Sequence, residues 1–443
     1  MTALRVVALS LVAFVACKRD APNNAAPPDA SLTDAAANDA AGVVDAAPAI
    51  LPARCKVAPT GVVLATGPES FEVGEGIATN GGFAVGLLRK DAGGTVGSVA
   101  VVDRALGGVT FADVAAPYAD APPPLPFLIG SDVYAAFFSR DRTPSSTSVK
   151  LPRDLSIYRI ADGKGTRLID VPQQRDDSLA FDVATGIGGT NGAALVWDED
   201  AIGNERGDIK LAMLSPDAKS IASSRIVSPD GTDAESPRIV ARRGGFWIVW
   251  VASRLEYPDA GLWPGEAIER PAEERRFKWL ELQLVDDHGA AVGGAKRLTS
   301  ATGRVALFDL AARPDAPDVL DILARDDDET NEAVGARIVR ITVTGDKPDP
   351  PIAIVGDGVG RGVPDLLAGG AGGVPAAWLS YSNVHDASIL VPLGPSRTPL
   401  GAPSAEDALD KARPIVVAGA PDSLLSAFST DAGAELRIVT CGE

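Results

Sequence analysis

Two histidines, three cysteines and an excess of acids over bases bound the chemistry open to this chain of 443 residues. A serine–histidine relay has no visible nucleophile, because no Gly-x-Ser-x-Gly elbow occurs. His288 falls in an Asp-His-Gly turn, and His385 closes the run Tyr381-Ser382-Asn383-Val384-His385 ahead of Asp386. No cysteine–histidine spacing suits zinc. Asp326, Asp328, Thr330 and Glu332 alternate ahead of Gly335, an oxygen-rich spacing of the kind calcium takes. Glycine is absent from the sixth position and strands rather than helices flank the segment, so a solvated acidic hairpin is the preferred reading. No cofactor is expected, and calcium at Asp326 and Asp328 is the one metal alternative. Asp198, Asp200 and Asp208 form a second acidic stretch. The glycine run Gly356–Gly362 is followed at once by Pro364, which leaves no helix N-terminus to receive a phosphate, and reads as a turn.

These residues lie in the gaps of a repeat. Turn signals at Gly81-Gly82, Gly130-Ser131-Asp132, Gly188-Gly189, Gly244-Gly245, Pro314-Asp315, Gly369-Gly370 and Gly419-Ala420-Pro421 recur at roughly 50–70 residues. Each opens a short apolar run, such as Phe83–Leu88, Val133–Phe138 and Phe246–Ala252. The fourth unit is the clearest. Pro237–Arg242 reads as a first strand and Phe246–Ala252 as a strand buried on both faces. Lys278–Val285 alternates apolar and polar residues with period two, and Ala295–Thr299 supplies an outer strand. No segment sustains a 3.6-residue apolar spacing. The expected fold is all-β, a β-propeller of seven four-stranded blades. The seventh unit lacks an outer strand, and Gly61–Gly67 is expected to supply it beside Arg437–Thr440, closing the ring.

In such a ring, the hairpins between second and third strands share a face with the segments that join the blades. Here those hairpins are long and charged: 139–154, 198–207, 253–277, 325–335 and 380–386. Loops grafted on a rigid scaffold are where binding concentrates. The candidate binding face therefore carries Arg140, Asp141, Asp200, Arg254, Tyr257, Trp263, Asp326, Asp328, Tyr381 and His385. The 253–277 insertion holds the strongest anchors, with Tyr257 and Trp263 interleaved with prolines and close to Arg254. Three Asp-Ala-Gly turns, at Asp91, Asp259 and Asp431, resemble the aspartate box of sialidase-type propellers in those three residues only, and Asp-Ala-Gly is ordinary turn chemistry.

Residues 1–17 read as an export signal: Arg5, an apolar run from Val6 to Val15, then Ala16-Cys17. Phe14-Val15-Ala16-Cys17 resembles the bacterial lipoprotein signal box, which implies lipidation of Cys17. Residues 18–54 are rich in Ala, Pro and Asp and read as a disordered tether; residues 55–443 form the folded domain. Cys55 and Cys441 remain, an even pair at the two ends of that domain, and in an exported chain they read as a disulfide across the closing blade. A net charge of −18 argues against nucleic acid and against docking on anionic lipid, so membrane contact is expected through the anchor alone.

Taken together, Cys17 and the repeat over about residues 56–442 resemble bacterial envelope lipoproteins that carry a β-propeller. The resemblance implies a monomeric, non-catalytic binding or scaffolding module at the cell envelope, on the outer rather than the inner membrane. Its partner would be an envelope protein or a polysaccharide. A glycan-active hydrolase or lyase of propeller fold is the alternative, and enzymatic activity is the less favoured expectation.

Overall fold

The computed structural model describes residues 54–442 except 67–70, 92–93, 119–120, 141–152, 172–178, 188–191, 201–205, 231, 257–274, 328–335, 357, 370–372, 386, 401–411, 421 and 431–432. All regular structure among the described residues is strand. Strand pairing sorts these strands into antiparallel meanders, each a blade. Blade one runs Phe71–Ala78, Gly82–Asp91, Gly94–Asp103, Val109–Ala115, and blade two Leu125–Ile129, Asp132–Arg140, Arg153–Ala161, Lys164–Val171. One parallel pairing, Lys164 with Asp113, joins their outer edges. Blade three is Phe181–Thr185, Ala193–Asp200, Gly207–Leu214, Ile221–Ile226, and blade four Asp233–Arg242, Gly245–Glu256, Arg275–Asp286, Lys296–Arg297. Blade five is Val305–Arg313, Ala316–Asp326 and Arg337–Thr344, edged by Lys347–Pro348 and Ile352–Val355. Blade six pairs Asp365–Ala368, Ala377–Ser382 and Ser388–Leu393, and blade seven Ala412–Val417, Ser423–Thr430 and Gly433–Gly442. Each first strand touches the first strand of the next blade, and that of blade seven touches that of blade one, so the first strands line a closed ring.

The second strands are continuously apolar because each faces two neighbours. In blade four, Phe246, Ile248, Trp250 and Ala252 pack with Val196, Ile209 and Leu211 of blade three. The alternate residues Trp247, Val249 and Val251 pack with Phe308, Leu320 and Ile322 of blade five. Period-two alternation therefore sends successive side chains into two different interblade cores. Trp247 and Trp250 are fully buried in them.

The outer strand of blade seven comes from the N-terminal end of the domain, but it begins earlier than Gly61–Gly67. Two segments share the work. Val62–Thr66 pairs with Gly433–Leu436, and Arg54–Val57 pairs with Val439–Gly442. The stretch 437–440, expected opposite Gly61–Gly67, is thus met partly by Lys56 and Val57. Arg54–Val57 is too short and too polar to announce itself as a strand. The register sets Cys55 directly opposite Cys441, and Cys55 is buried.

Close approach shapes the entry to blade two. Gly86, in the second strand of blade one, lies against the carbonyl of Pro124, and a Cβ there would overlap that oxygen. The segment Pro122–Pro124 can pass only because the side chain is missing. Gly86→Ala should lower stability by about 1–3 kcal/mol, the usual range for overpacking a well-filled site. Equal thermal melts of variant and wild type would contradict this contact.

Candidate functional site

The first strands begin on the face from which the chain enters each blade, and there the ring opens into a funnel of about 340 Å³. Every blade contributes to its wall, through its first strand or the segment leading into it. Glu72 and Glu75 come from blade one, Pro122, Pro123 and Leu125 from blade two, and Phe181 from blade three. Ser236 and Arg238 come from blade four, Leu307 and Phe308 from blade five, Val363 from blade six and Arg413 from blade seven.

A ring of charge occupies the centre. Arg238 of blade four reaches across the channel, its Nη1 donating to Glu75 Oε1 of blade one at 3.0 Å. The pair is wet, with 27% and 48% of the two side chains accessible. Glu75, Asp182 and Asp309 hold the Arg238 guanidinium charged. Asp182 of blade three spans to the next blade: its Oδ2 accepts the Ile239 N–H at 2.8 Å, and its Oδ1 accepts the Val183 N–H at 2.8 Å. Asp309 of blade five repeats the arrangement, Oδ2 accepting the Leu366 N–H of blade six at 2.7 Å. A carboxylate on one first strand thereby fastens the next. Asp182 is buried and Asp309 partly so, and burial pushes Asp182 up to about 7 and Asp309 to about 6, against the pull of Arg238.

Asp365 of blade six takes the third such position. Burial, reinforced by Asp309, pushes it up to about 7 while Arg413 opposes the rise. Unlike the other two it has no hydrogen-bond partner among the described residues. The first strand of blade seven shows why: it carries Pro414, which has no N–H, and its register shifts between Pro414 and Val416. Arg413 turns to blade one instead, its Nη1 donating to the Val73 carbonyl at 2.5 Å.

The sequence carries a signal for this ring. Phe181-Asp182-Val183, Phe308-Asp309-Leu310, Pro364-Asp365-Leu366 and Pro237-Arg238-Ile239 place a charge between apolar residues in four first strands. Aligning the units on their first strands would expose it.

Of the residues expected on the binding face, Arg140, Asp200, Arg254 and Asp326 lie at or near the ends of the second strands of blades two to five. Arg140 and Asp200 end the second strands of blades two and three. Arg254 lies on a second strand that extends to Glu256, exposed, with its guanidinium 6.0 Å from the centre of the Phe277 ring. Asp326 ends a strand and is paired with Arg337, Nη2 to Oδ2 at 2.7 Å, where a solvated or calcium-binding loop was expected. Tyr381 requires correction. It is buried in the core of blade six rather than presented in a loop, because Ala377–Ser382 is a strand whose face turns inward. His385 is exposed in a turn, its N–H donating to Asn383 Oδ1 at 2.9 Å. Asp198 also leaves the acidic loop assigned to it: it is buried, and its Oδ2 accepts the Ser236 N–H at 2.8 Å. Asp141, Tyr257, Trp263, Asp328 and the lipidation candidate Cys17 lie outside the described residues. Among the described residues no group of three or more His, Cys, Asp or Glu is placed to hold a metal ion.

No family model and no curated protein sequence matches the chain. Solved structures do. A polysaccharide lyase of a new family, an ulvan lyase, is similar with a TM-score of 0.52 and 11% identity over 87% of this chain and 96% of its own. The β-propeller domain of the Trilobed protease from Pyrococcus furiosus gives 0.47 and 8% over 84% and 94%. An α-L-arabinofuranosidase from Fusarium graminearum gives 0.44 and 10% over 75% and 98%. At these identities the likeness is one of fold: the chain is a β-propeller.

Proposed function

We propose that the protein is a non-catalytic binding module of the bacterial cell envelope, exported, anchored by lipid at Cys17, and holding an envelope protein or polysaccharide on the face where the funnel opens. One observation carries this reading. The carboxylates at the ring centre are largely committed to the scaffold, Asp182 and Asp309 to amides of the following blade and Glu75 to Arg238. Hydrolysis of a glycosidic bond commonly needs two carboxyls free to act on opposite sides of that bond. Only Asp365 is raised to near neutrality without a hydrogen-bond partner among the described residues. That carboxyl is what favours the second reading, a glycan hydrolase or lyase, since a group near the working pH is suited to proton transfer.

The face is tested through its anchors. Purified protein should be retained by immobilised envelope polysaccharide or envelope protein. Retention should drop at least about tenfold in the Arg254→Ala, Trp263→Ala double variant, as truncation of an aromatic anchor and its neighbouring arginine commonly does. The melting temperature should hardly move. Undiminished retention with the fold intact would show that these anchors do not carry the contact.

A further inference from the structure

The funnel wall is balanced in charge and holds unused hydrogen-bonding capacity. Its charged lining residues are Glu72 and Glu75 against Arg238 and Arg413, two of each sign. Asp182 and Asp309 take no part in the lining and are committed to backbone amides. Glu75 and Arg238 meet through Nη1 and Oε1 alone, and both side chains stay accessible. The other guanidinium N–H groups of Arg238, and Glu75 Oε2, have no partner among the described residues. Arg413 is exposed and gives one nitrogen to the Val73 carbonyl.

Ser236 adds a hydroxyl on distorted backbone. The pairing of blade four's first strand shifts between Glu235 and Arg238. Within that bulge Ser236 adopts a φ of 53°, a left-handed conformation that residues other than glycine avoid. Buried Asp198 holds it there by accepting the Ser236 N–H at 2.8 Å. Ser236 is exposed and lines the funnel. Bulges re-aim side chains, and backbone strain fixed by its surroundings clusters where ligands are held. The rest of the wall offers apolar surface, with Pro122, Leu125 and Leu307 half-buried and Val363 exposed.

These features select among ligands. A net charge of −18 repels an anion. An anion or a cation seated on the wall would also part Glu75 from Arg238 and leave one of them unmatched. A neutral polyol does neither: its hydroxyls donate to the carboxylate and accept from the guanidinium, while its C–H faces cover the apolar surface. A cavity of about 340 Å³ is within the range of small-ligand clefts. Arg238 reaches across the channel to Glu75, and beyond it Val183 and Ile239 line a separate cavity, so a chain is received by its end rather than threaded. We infer that the funnel binds the end of a neutral glycan, with Arg238, Glu75 and Ser236 bonding its hydroxyls. The inference rests on the reading that this face meets the partner; it selects polysaccharide over protein and fixes the charge of that polysaccharide.

Calorimetric titration of the full chain with trisaccharides tests this. Cellotriose is the neutral probe, with the matching glucosamine trimer as the cation and the matching glucuronate trimer as the anion. N-acetylchitotriose, mannotriose and maltotriose are further neutral probes. The tightest neutral trimer should bind at least about tenfold better than either charged one, because an enclosed charge without a counterpart is penalised. Ser236→Gly should weaken that binding about threefold or more through the lost hydroxyl. It should not lower the melting temperature, since glycine takes the same backbone conformation freely. Arg238→Met should weaken binding about tenfold and turn the preference toward the glucosamine trimer, because Glu75 is left unpaired. Loosening of the ring alone produces no such reversal. Silence with every neutral trimer, or a charged trimer binding as tightly, overturns the inference whether or not the variants fold. Folded Ser236→Gly and Arg238→Met proteins that bind like wild type overturn it as well. Silence with the neutral trimers together with retention on immobilised envelope protein sinks this inference alone and leaves the proposed function standing. Binding accompanied by new reducing ends sustains the inference and sinks the non-catalytic reading instead.

Discussion

Raising the pH from about 5 to about 8 should lower the melting temperature of this protein by about 5 °C or more, taking roughly 1 °C per kcal/mol for a domain of this size. Three carboxyls drive the effect. Asp182 and Asp365 are pushed up to about 7 and Asp309 to about 6, in each case first by burial. In the unfolded chain they titrate near the ordinary value of 3.8. The folded state therefore binds protons that the unfolded state has released, and stability falls with rising pH across that interval. Their contribution is fully present below the unfolded value and is lost as the pH climbs through the folded ones, at about 1.4 kcal/mol per unit of separation. Groups shifted the other way do not confuse the window. Asp321, held down by Arg313 and Arg397 despite its burial, and Asp217 and Asp346 lose their contribution only below the ordinary carboxylate range. Asp182→Asn should flatten the profile, because the amide does not titrate; its oxygen can still accept from Ile239, while its NH2 faces the Val183 N–H where an acceptor stood. Asp182→Ala should cost about 1–3 kcal/mol at about pH 5, where the clasp to blade four is lost with nothing gained. A melting temperature that is level or rises from pH 5 to 8 would mean that these carboxyls are ionised and well solvated.

Reduction of the domain should produce the other large loss. Directly opposed residues of an antiparallel pair have Cα atoms about 4.5 or 5.5 Å apart, and both values lie inside the range a disulfide spans. Cys55 and Cys441 are such a pair, and we propose that they are bridged. The bridge would close nearly the whole domain into one loop, which the chain-entropy model values at about 5–6 kcal/mol as an upper bound. Cys55→Ser, or reductant, should accordingly lower the melting temperature, with exchange protection lost first in Arg54–Val57 and Gly433–Gly442. Intact mass after alkylation checks the bond itself. No label should enter these two cysteines without reductant. Full labelling of both in unreduced, exported protein would end the proposal.

Much of the architecture was legible because burial on two faces leaves a strong mark. FWIVWVA at 246–252 has to be apolar throughout when its alternate residues enter the cores on either side of blade four. The closing strand was half legible: Val62–Thr66 is apolar, whereas Arg54–Val57 draws its pairing from the partner strand rather than from its own pattern. Tyr381 was misplaced because Ser380 and Ser382 give the run a polar look, yet both flank a side chain directed into the core. The ring of charge escaped for a different reason. A single Asp between two apolar residues looks like a strand end, and its meaning appears only when seven first strands converge and place Asp182, Arg238, Asp309 and Asp365 around one axis. Charge that fastens blades and charge that lines a site read alike along the chain, and only the partner of each carboxyl tells them apart.

The measurement that bears most directly on the account is turnover against retention on the same polysaccharides. Wild-type protein is incubated with a panel of envelope and matrix glycans while new reducing ends and unsaturated uronate are followed, and bound glycan is scored in parallel. The account predicts retention without product, even at protein concentrations comparable to those of the glycan chains. Product that forms with the wild type and disappears with Asp365→Asn would contradict it and make the funnel an active site.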